Sequence, residues 1–218
     1  MFTERPIGRR DFLKLGLVLP VALYSLKYSQ LLESLGRPSG RPSLPEFIKT
    51  VENGNPDQIV GVYSYRTLAN KVVQQPPEDP AFVSPDPLVI TQFRLATSNN
   101  VIGFLGHREG VGREFLPLIN DEFILVVYGD GRQGPYKPAE QHLYQALKPN
   151  SPESDFIDLK TGIRETVAEV YNKMYGGPHH VTFQTCIAKD GNPIWGRYFL
   201  IASPYLFEGK PVMLPRPV

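Results

Sequence analysis

The chain has 218 residues, a formal charge of +1, 41% hydrophobic and 21% charged residues, and a single cysteine. That composition can bury one sizeable core and excludes disorder throughout, while the near-zero charge offers no basic face to nucleic acid. One cysteine excludes an internal disulfide and any thiolate metal cluster, and 22 Pro with 19 Gly argue for turns between short strands rather than a helical bundle.

The first stretch, Gly8–Arg9–Arg10–Asp11–Phe12–Leu13–Lys14, resembles a twin-arginine export signal: two arginines, any residue, then Phe-Leu-Lys, with Gly8 where Ser or Thr is usual. Behind it Leu15–Leu26 is mildly apolar and holds Gly16 and Pro20. It is short for a membrane-spanning helix, which needs about 20 apolar residues, and suits a signal h-region. No Ala-x-Ala site follows, and Lys27 and Tyr28 resemble the outer edge of an uncleaved anchor. Residues 1–28 are expected to export the protein and hold it at the extracytoplasmic face of the cell membrane. From Glu33 to Glu46 the chain turns to Gly, Pro, Ser and Arg, which cannot repay the entropy of ordering, so residues 29–55 read as a tether.

Residues 56–218 read as the folded domain. Ile59–Tyr65 and Leu68–Val73 have the composition of strands, and proline-rich Pro76–Pro87 reads as an extended surface crossing. Leu88–Leu95 and Val101–Leu105 form another pair turned at Ser98–Asn99–Asn100, and Phe123–Tyr128 is an apolar strand ending at Gly129–Asp130–Gly131. One helix is expected over Leu159–Tyr175, with Ile163, Val167, Val170, Tyr171 and Met174 on one face and Gly176–Gly177–Pro178 as its stop. In His180–Cys186, Val181, Phe183 and Thr185 alternate with Thr182, Gln184 and Cys186, the pattern of a half-buried strand that ends on the cysteine. Asp190–Gly191–Asn192–Pro193 marks a turn, and the next strand opens on Arg197. About eight short strands with one helix inserted before the cysteine strand give an all-β class and a closed barrel.

Two antiparallel neighbours joined by such a turn bring a thiol and a guanidinium side by side. A lone cysteine is more often an inert buried hydrophobe than a nucleophile. Here, however, His107 stands at the end of the strand Val101–Leu105, where a turn exposes its ring. A nearby cation favours the thiolate, an imidazole can protonate a leaving amine, and an arginine, which keeps its proton, is a fixed donor for an oxyanion. His179 and His180 fall near the far end of the cysteine strand, and His142 reads as a surface or rim histidine. Asp130 and Glu109 are candidate orienters of His107, although each reads first as a solvated turn residue. No ligand spacing for a metal is present, and no cofactor is expected.

Gly106–His107–Arg108, Thr182–Phe183–Gln184–Thr185–Cys186 and Arg197 together resemble the sortase family of cysteine transpeptidases, whose strand end reads Thr-Leu-x-Thr-Cys. Phe115–Leu116–Pro117–Leu118, Phe123–Ile124–Leu125 and Tyr136 match the family's middle strands, so the resemblance covers Ile59 to Ser203. It implies an eight-stranded sortase β-barrel with Cys186 as nucleophile, His107 as general acid/base and Arg197 as the oxyanion and substrate-positioning residue. Thr185, Arg108 and Trp195 are the further candidates for substrate contact, Trp195 being first a loop aromatic over the barrel mouth. The implied partners are exported proteins carrying a C-terminal sorting motif and an amine acceptor, a cell-wall precursor or a pilin-like lysine. Phe183 replaces the usual leucine, and the long His107-to-Cys186 interval is accounted for by the expected helix, as in class B sortases. Two other readings remain open: an L,D-transpeptidase, whose Ser-x-Gly-Cys pattern is missing around Cys186, and a non-catalytic β-barrel binding module with a buried, inert thiol.

Overall fold

The structure, a computed structural model, describes residues 40–217; the expected export signal and the start of the tether lie outside these residues. The first element is α1, Leu44–Val51, inside the span read as tether. Ser43 and Glu46 cap it reciprocally, Ser43 accepting from the Glu46 N–H and the Glu46 carboxylate accepting from the Ser43 N–H at 2.7 Å. Its apolar stripe, Phe47, Ile48 and Val51, is buried. That burial orders a segment whose composition alone gives no reason to fold. Gly61 opposite is required: a Cβ there would lie 2.8 Å from the Phe47 ring.

Eight strands close a barrel. They are β1 (Ile59–Ser64), β2 (Ala69–Gln74), β3 (Ile90–Phe93), β4 (Ile102–Leu105), β5 (Ile124–Tyr128), β6 (Gln133–Ala146), β9 (Val181–Lys189) and β10 (Asn192–Pro204). The ring runs β10-β9-β4-β3-β2-β1-β5-β6 and shuts where β6 pairs with β10. Most pairs are antiparallel, but β2–β3 and β4–β9 are parallel. A two-stranded extension, β7 (Phe156–Asp158) and β8 (Arg164–Glu165), continues from the middle of the ring along β6. The short pair β11 (Leu206–Phe207) and β12 (Lys210–Pro211) follows β10, and Leu214 beyond it bridges back to Gln133.

The barrel interior is filled by alternate side chains, among them Val62, Phe104, Ile124, Val126, Phe183 and Leu200. Phe183 sits at its centre, with ring centroids 5.2 Å from Phe104 and 5.1 Å from Phe115. A second apolar cluster covers the outside of the wall, where Tyr144 and Phe199 pack under Val170, Met174 and Tyr175. The last three belong to α3, Val167–Tyr175; a one-turn helix, α2 (Arg94–Thr97), precedes β4.

The expected fold class is the observed one, with corrections to individual elements. The helix before the cysteine strand is shorter than Leu159–Tyr175. Asp158 Oδ1 accepts the Lys160 and Thr161 N–H groups, and Gly162 adopts φ +74°, so a hairpin turn replaces the first half. The helix then starts at its own capping box, Thr166 with Glu169. Strand β6 was hidden by Pro135 and Pro138, which argue against a strand in sequence. Pro138 lies where the β6–β10 register shifts, between Ile201 and Ala202. Strand β9 continues past Cys186 to Lys189, and Asp190 and Gly191, both at positive φ, make a two-residue hairpin turn. Strand β10 therefore opens on Asn192, with Pro193, Ile194 and Trp195 bulged out before regular pairing resumes at Gly196.

Candidate active site

Strand β9 presents two faces. Val181 and Phe183 point into the barrel core, so Thr182, Gln184 and Cys186 face outward. Helix α3 covers the start of this outer row: Thr182 Oγ1 donates to the Met174 carbonyl at 2.6 Å, and Tyr175 Oη donates to Gln184 Oε1 at 2.6 Å. Cys186 is the next residue along the same face, half-buried and unbridged.

Its neighbours on both sides are fixed by register. In β10, Arg197 is the direct Cα partner of Cys186. On the other side β4 runs parallel, with Leu105 opposite Gln184. The pairing continues beyond the strand, since the Gly106 N–H donates to the Gln184 carbonyl and Thr185 Oγ1 donates to the Gly106 carbonyl at 2.9 Å. His107 follows Gly106 at once, on a segment that is tied in this way to the strand carrying Cys186, one residue before the cysteine. With neighbouring strands about 4.8 Å apart, Cys186 and Arg197 sit one strand spacing from each other. Thiol and guanidinium thus belong to adjacent strands of one wall, and the imidazole to the turn that follows the strand on the other side of Cys186.

Each flanking group is held by backbone. The His107 carbonyl accepts from the Gly110 and Gly112 N–H groups, which closes a turn and leaves the ring exposed. Gly112 has no room for a side chain, because a Cβ would meet Thr185 Oγ1 and the Gly106 carbonyl oxygen at 2.2 and 2.4 Å. Arg197 Nη1 donates to the Ile194 and Gly196 carbonyls, and Nη2 to the Pro149 carbonyl in the β6–β7 connection. A guanidinium has five N–H donors. Three are used in this way, which leaves Nε–H and one Nη2–H without an acceptor among the described residues.

The other expected site residues divide. Thr185 is buried on the inward face, its hydroxyl committed to Gly106; it is a bolt between β9 and the His107 segment rather than a substrate contact, which corrects the expectation. Arg108 adjoins His107 and pairs with Glu109 at 2.6 Å, and Glu109 also faces Arg113, so Glu109 serves arginines rather than His107. Asp130 is tied to Arg132 in the β5–β6 turn. Trp195 lies in the bulge opening β10, its ring 4.9 Å under the Lys189 ammonium. Arg66 lines a cleft with Arg41, Arg113 and Asp121 that contains none of His107, Cys186 and Arg197.

His179 bridges Tyr136 and the Asn100 carbonyl, and the ring nitrogens of buried His180 face the Pro178 and Met174 carbonyls, so both are used structurally. His142 meets Glu140 on the rim. Among the described residues, no three His, Cys, Asp or Glu side chains converge to hold a metal. The Tyr175–Gln184 contact was not anticipated, although the alternation along β9 already put Gln184 on the face of Cys186.

No protein-family model matches the chain, and no curated protein matches it. Among solved structures it is similar to sortase C-1 from Actinomyces oris, at 10% identity over 78% of this chain and 84% of that one, with a TM-score of 0.44. It is also similar to sortase B of Clostridium perfringens (16% identity, 72% and 98% covered, TM-score 0.42). Sortase E1 from Streptomyces coelicolor, solved with a tripeptide in its active site, shares 14% identity over 73% of this chain and 98% of that one, with a TM-score of 0.40. At identities this low, roles for residues of this chain rest on their own geometry.

Proposed function

We propose that the chain is a sortase-like cysteine transpeptidase that cleaves a C-terminal sorting signal on exported proteins and passes the acyl group to an amine. The observation that supports this reading most is the pairing of half-buried Cys186 with Arg197 on adjacent strands, with exposed His107 in the turn that follows the strand on the other side of Cys186.

The chemistry follows from the three groups. The Cys186 thiolate attacks a backbone carbonyl of the signal, and the free Nε–H and Nη2–H of Arg197 stabilise the oxygen as it becomes negative. His107, as imidazolium, gives its proton to the departing amine, which leaves a thioester on Sγ. An incoming amine, from a cell-wall precursor or a pilin-like lysine, loses a proton to His107, attacks the thioester and expels the thiolate, which restores the starting ion pair. Turnover in this scheme needs the Cys186 thiolate and the His107 imidazolium present together. Residues 1–28 export the enzyme and anchor it at the extracytoplasmic face of the membrane. Among the described residues, no helix is long and apolar enough to cross a membrane.

The test is incubation with a library of candidate sorting peptides, followed by intact-mass measurement. Wild-type protein is expected to gain a hydroxylamine-labile acyl mass that Cys186→Ala does not. Folded wild-type protein that stays unacylated across the library, with a thiol no more reactive than free cysteine, would sink the reading.

A further inference from the structure

Gln184 stands two residues before Cys186 on the same outward face of β9, and its carboxamide is held from one side only. Tyr175 Oη donates to Oε1 at 2.6 Å. Tyr175 cannot drift: it is buried at 2% exposure, packs against Phe93 with ring centroids 5.1 Å apart, and lies so close to Gly103 that a Cβ there would be 3.1 Å from its ring. Burial also pushes its hydroxyl well above the ordinary value, so it remains a donor at any pH the enzyme meets. A carboxamide is planar with oxygen and nitrogen opposed. With Oε1 taken by Tyr175 and no partner for Nε2 among the described residues, the two Nε2 hydrogens are left for a ligand on this half-buried outer face.

Substrate geometry supplies the acceptor. In an extended peptide, carbonyls pointing the same way recur every second residue, about 6.6–7 Å apart, and that is also the spacing of Gln184 and Cys186 along β9. A peptide whose scissile carbonyl lies over Cys186 and Arg197 brings its next like-facing carbonyl over Gln184. We propose that Gln184 Nε2 donates a hydrogen bond to that second carbonyl, so that Gln184 is a substrate-positioning residue whose amide is oriented by Tyr175. The inference rests on the transpeptidase reading, and it adds that the signal is gripped by its backbone, in extended form, independently of side-chain sequence.

The test pairs enzyme variants with altered peptides. Gln184→Glu keeps the oxygen that Tyr175 donates to but has no amide hydrogen, and Gln184→Leu removes both. Each is expected to lower kcat/KM for acylation about 3- to 10-fold, the range for one hydrogen bond, chiefly through KM. Tyr175→Phe frees the amide to turn and is expected to lose part of that factor. A set of peptides, each with one backbone carbonyl reduced to methylene, then identifies the partner. One of them should cost the wild type about the same 3- to 10-fold and cost Gln184→Leu nothing further. If every reduced carbonyl penalises wild type and Gln184→Leu alike, or if both Gln184 variants, with unchanged melting temperatures, acylate at the wild-type kcat/KM, the inference falls while the transpeptidase reading stands. If the wild type itself forms no thioester, both fall together.

Discussion

Thr185→Val removes one oxygen from the barrel and leaves the shape of the side chain almost untouched, so it isolates the bolt between β9 and the His107 segment. The hydroxyl donates to the Gly106 carbonyl at 2.9 Å from a residue only 2% exposed. Leaving a buried carbonyl without its donor costs about 1–3 kcal/mol. The methyl group that replaces the hydroxyl recovers at most about 0.8 kcal/mol of burial. With that recovery complete, the net loss is about 0.2–2 kcal/mol. With a urea m-value of about 2 kcal/mol/M for a domain of this size, the midpoint should fall by about 0.1–1 M. Thr185→Ser keeps the bond and loses a buried methyl, so its midpoint should fall by a similar amount. Activity separates the two: the serine variant should acylate near the wild-type rate, whereas the valine variant lets the His107 turn drift and should acylate about 10- to 100-fold more slowly, since small misplacements of a reacting group carry penalties of that order. The assay is urea unfolding followed by fluorescence, run beside single-turnover acylation of a sorting peptide. A valine variant with wild-type midpoint and wild-type rate would refute the assignment of Thr185 as a structural bolt.

Other outcomes are expected from the same geometry. His107→Ala and Arg197→Ala should fold, as judged by far-UV circular dichroism, and lose about 10²- to 10⁴-fold in turnover; near-normal turnover from either would overturn its role. Phe183→Ala empties the centre of the barrel, where two other phenylalanine rings pack on it, and should cost about 3–5 kcal/mol in chemical denaturation. Burial works to raise the Asp158 carboxyl, but the Lys160 and Thr161 N–H groups and the Lys173 ammonium outweigh it and hold the group below its ordinary 3.8. A lowered folded value means that its stabilisation is complete above the unfolded value and is lost as pH falls through the folded one. Asp158→Asn should therefore flatten the acid limb of a stability-versus-pH profile below about pH 4 while keeping the turn acceptor.

Legibility in sequence followed the strength of local pattern. The alternation in Val181–Cys186 fixed which side chains face the core, and Asp190–Gly191 marked the hairpin that sets Cys186 against Arg197. That much of the site is local, so it could be read. The approach of His107 to the cysteine strand depends on a parallel β4–β9 pairing between segments far apart in the chain, which no periodicity reveals; only the family resemblance pointed there. Pro135 and Pro138 hid β6, because a local rule against proline yields when a strand's register shift accommodates it. Leu159 and Ile163 extended the apparent stripe of α3 backward, yet both are exposed, and the capping box at Thr166 was the better boundary signal. Thr185 was misjudged as a substrate contact because nearness to a nucleophile in sequence says nothing about which face of a strand a side chain takes. Alternation, already visible, gave the correct answer.

The direct β6–β10 seam has a consequence for how this molecule can change. Everything between Leu147 and His180, the β7–β8 hairpin and α3 together, is a detour that leaves the wall and returns to it without contributing a stave. Such a detour can change in length without altering the strand register that pairs Cys186 with Arg197, provided Pro149 still meets the Arg197 guanidinium and Tyr175 still meets Gln184. Any replacement must still roof Tyr144 and Phe199, which would otherwise lie bare to water. On the transpeptidase reading proposed above, variants meant to change which peptides are accepted should begin in that detour, with the barrel left as it is.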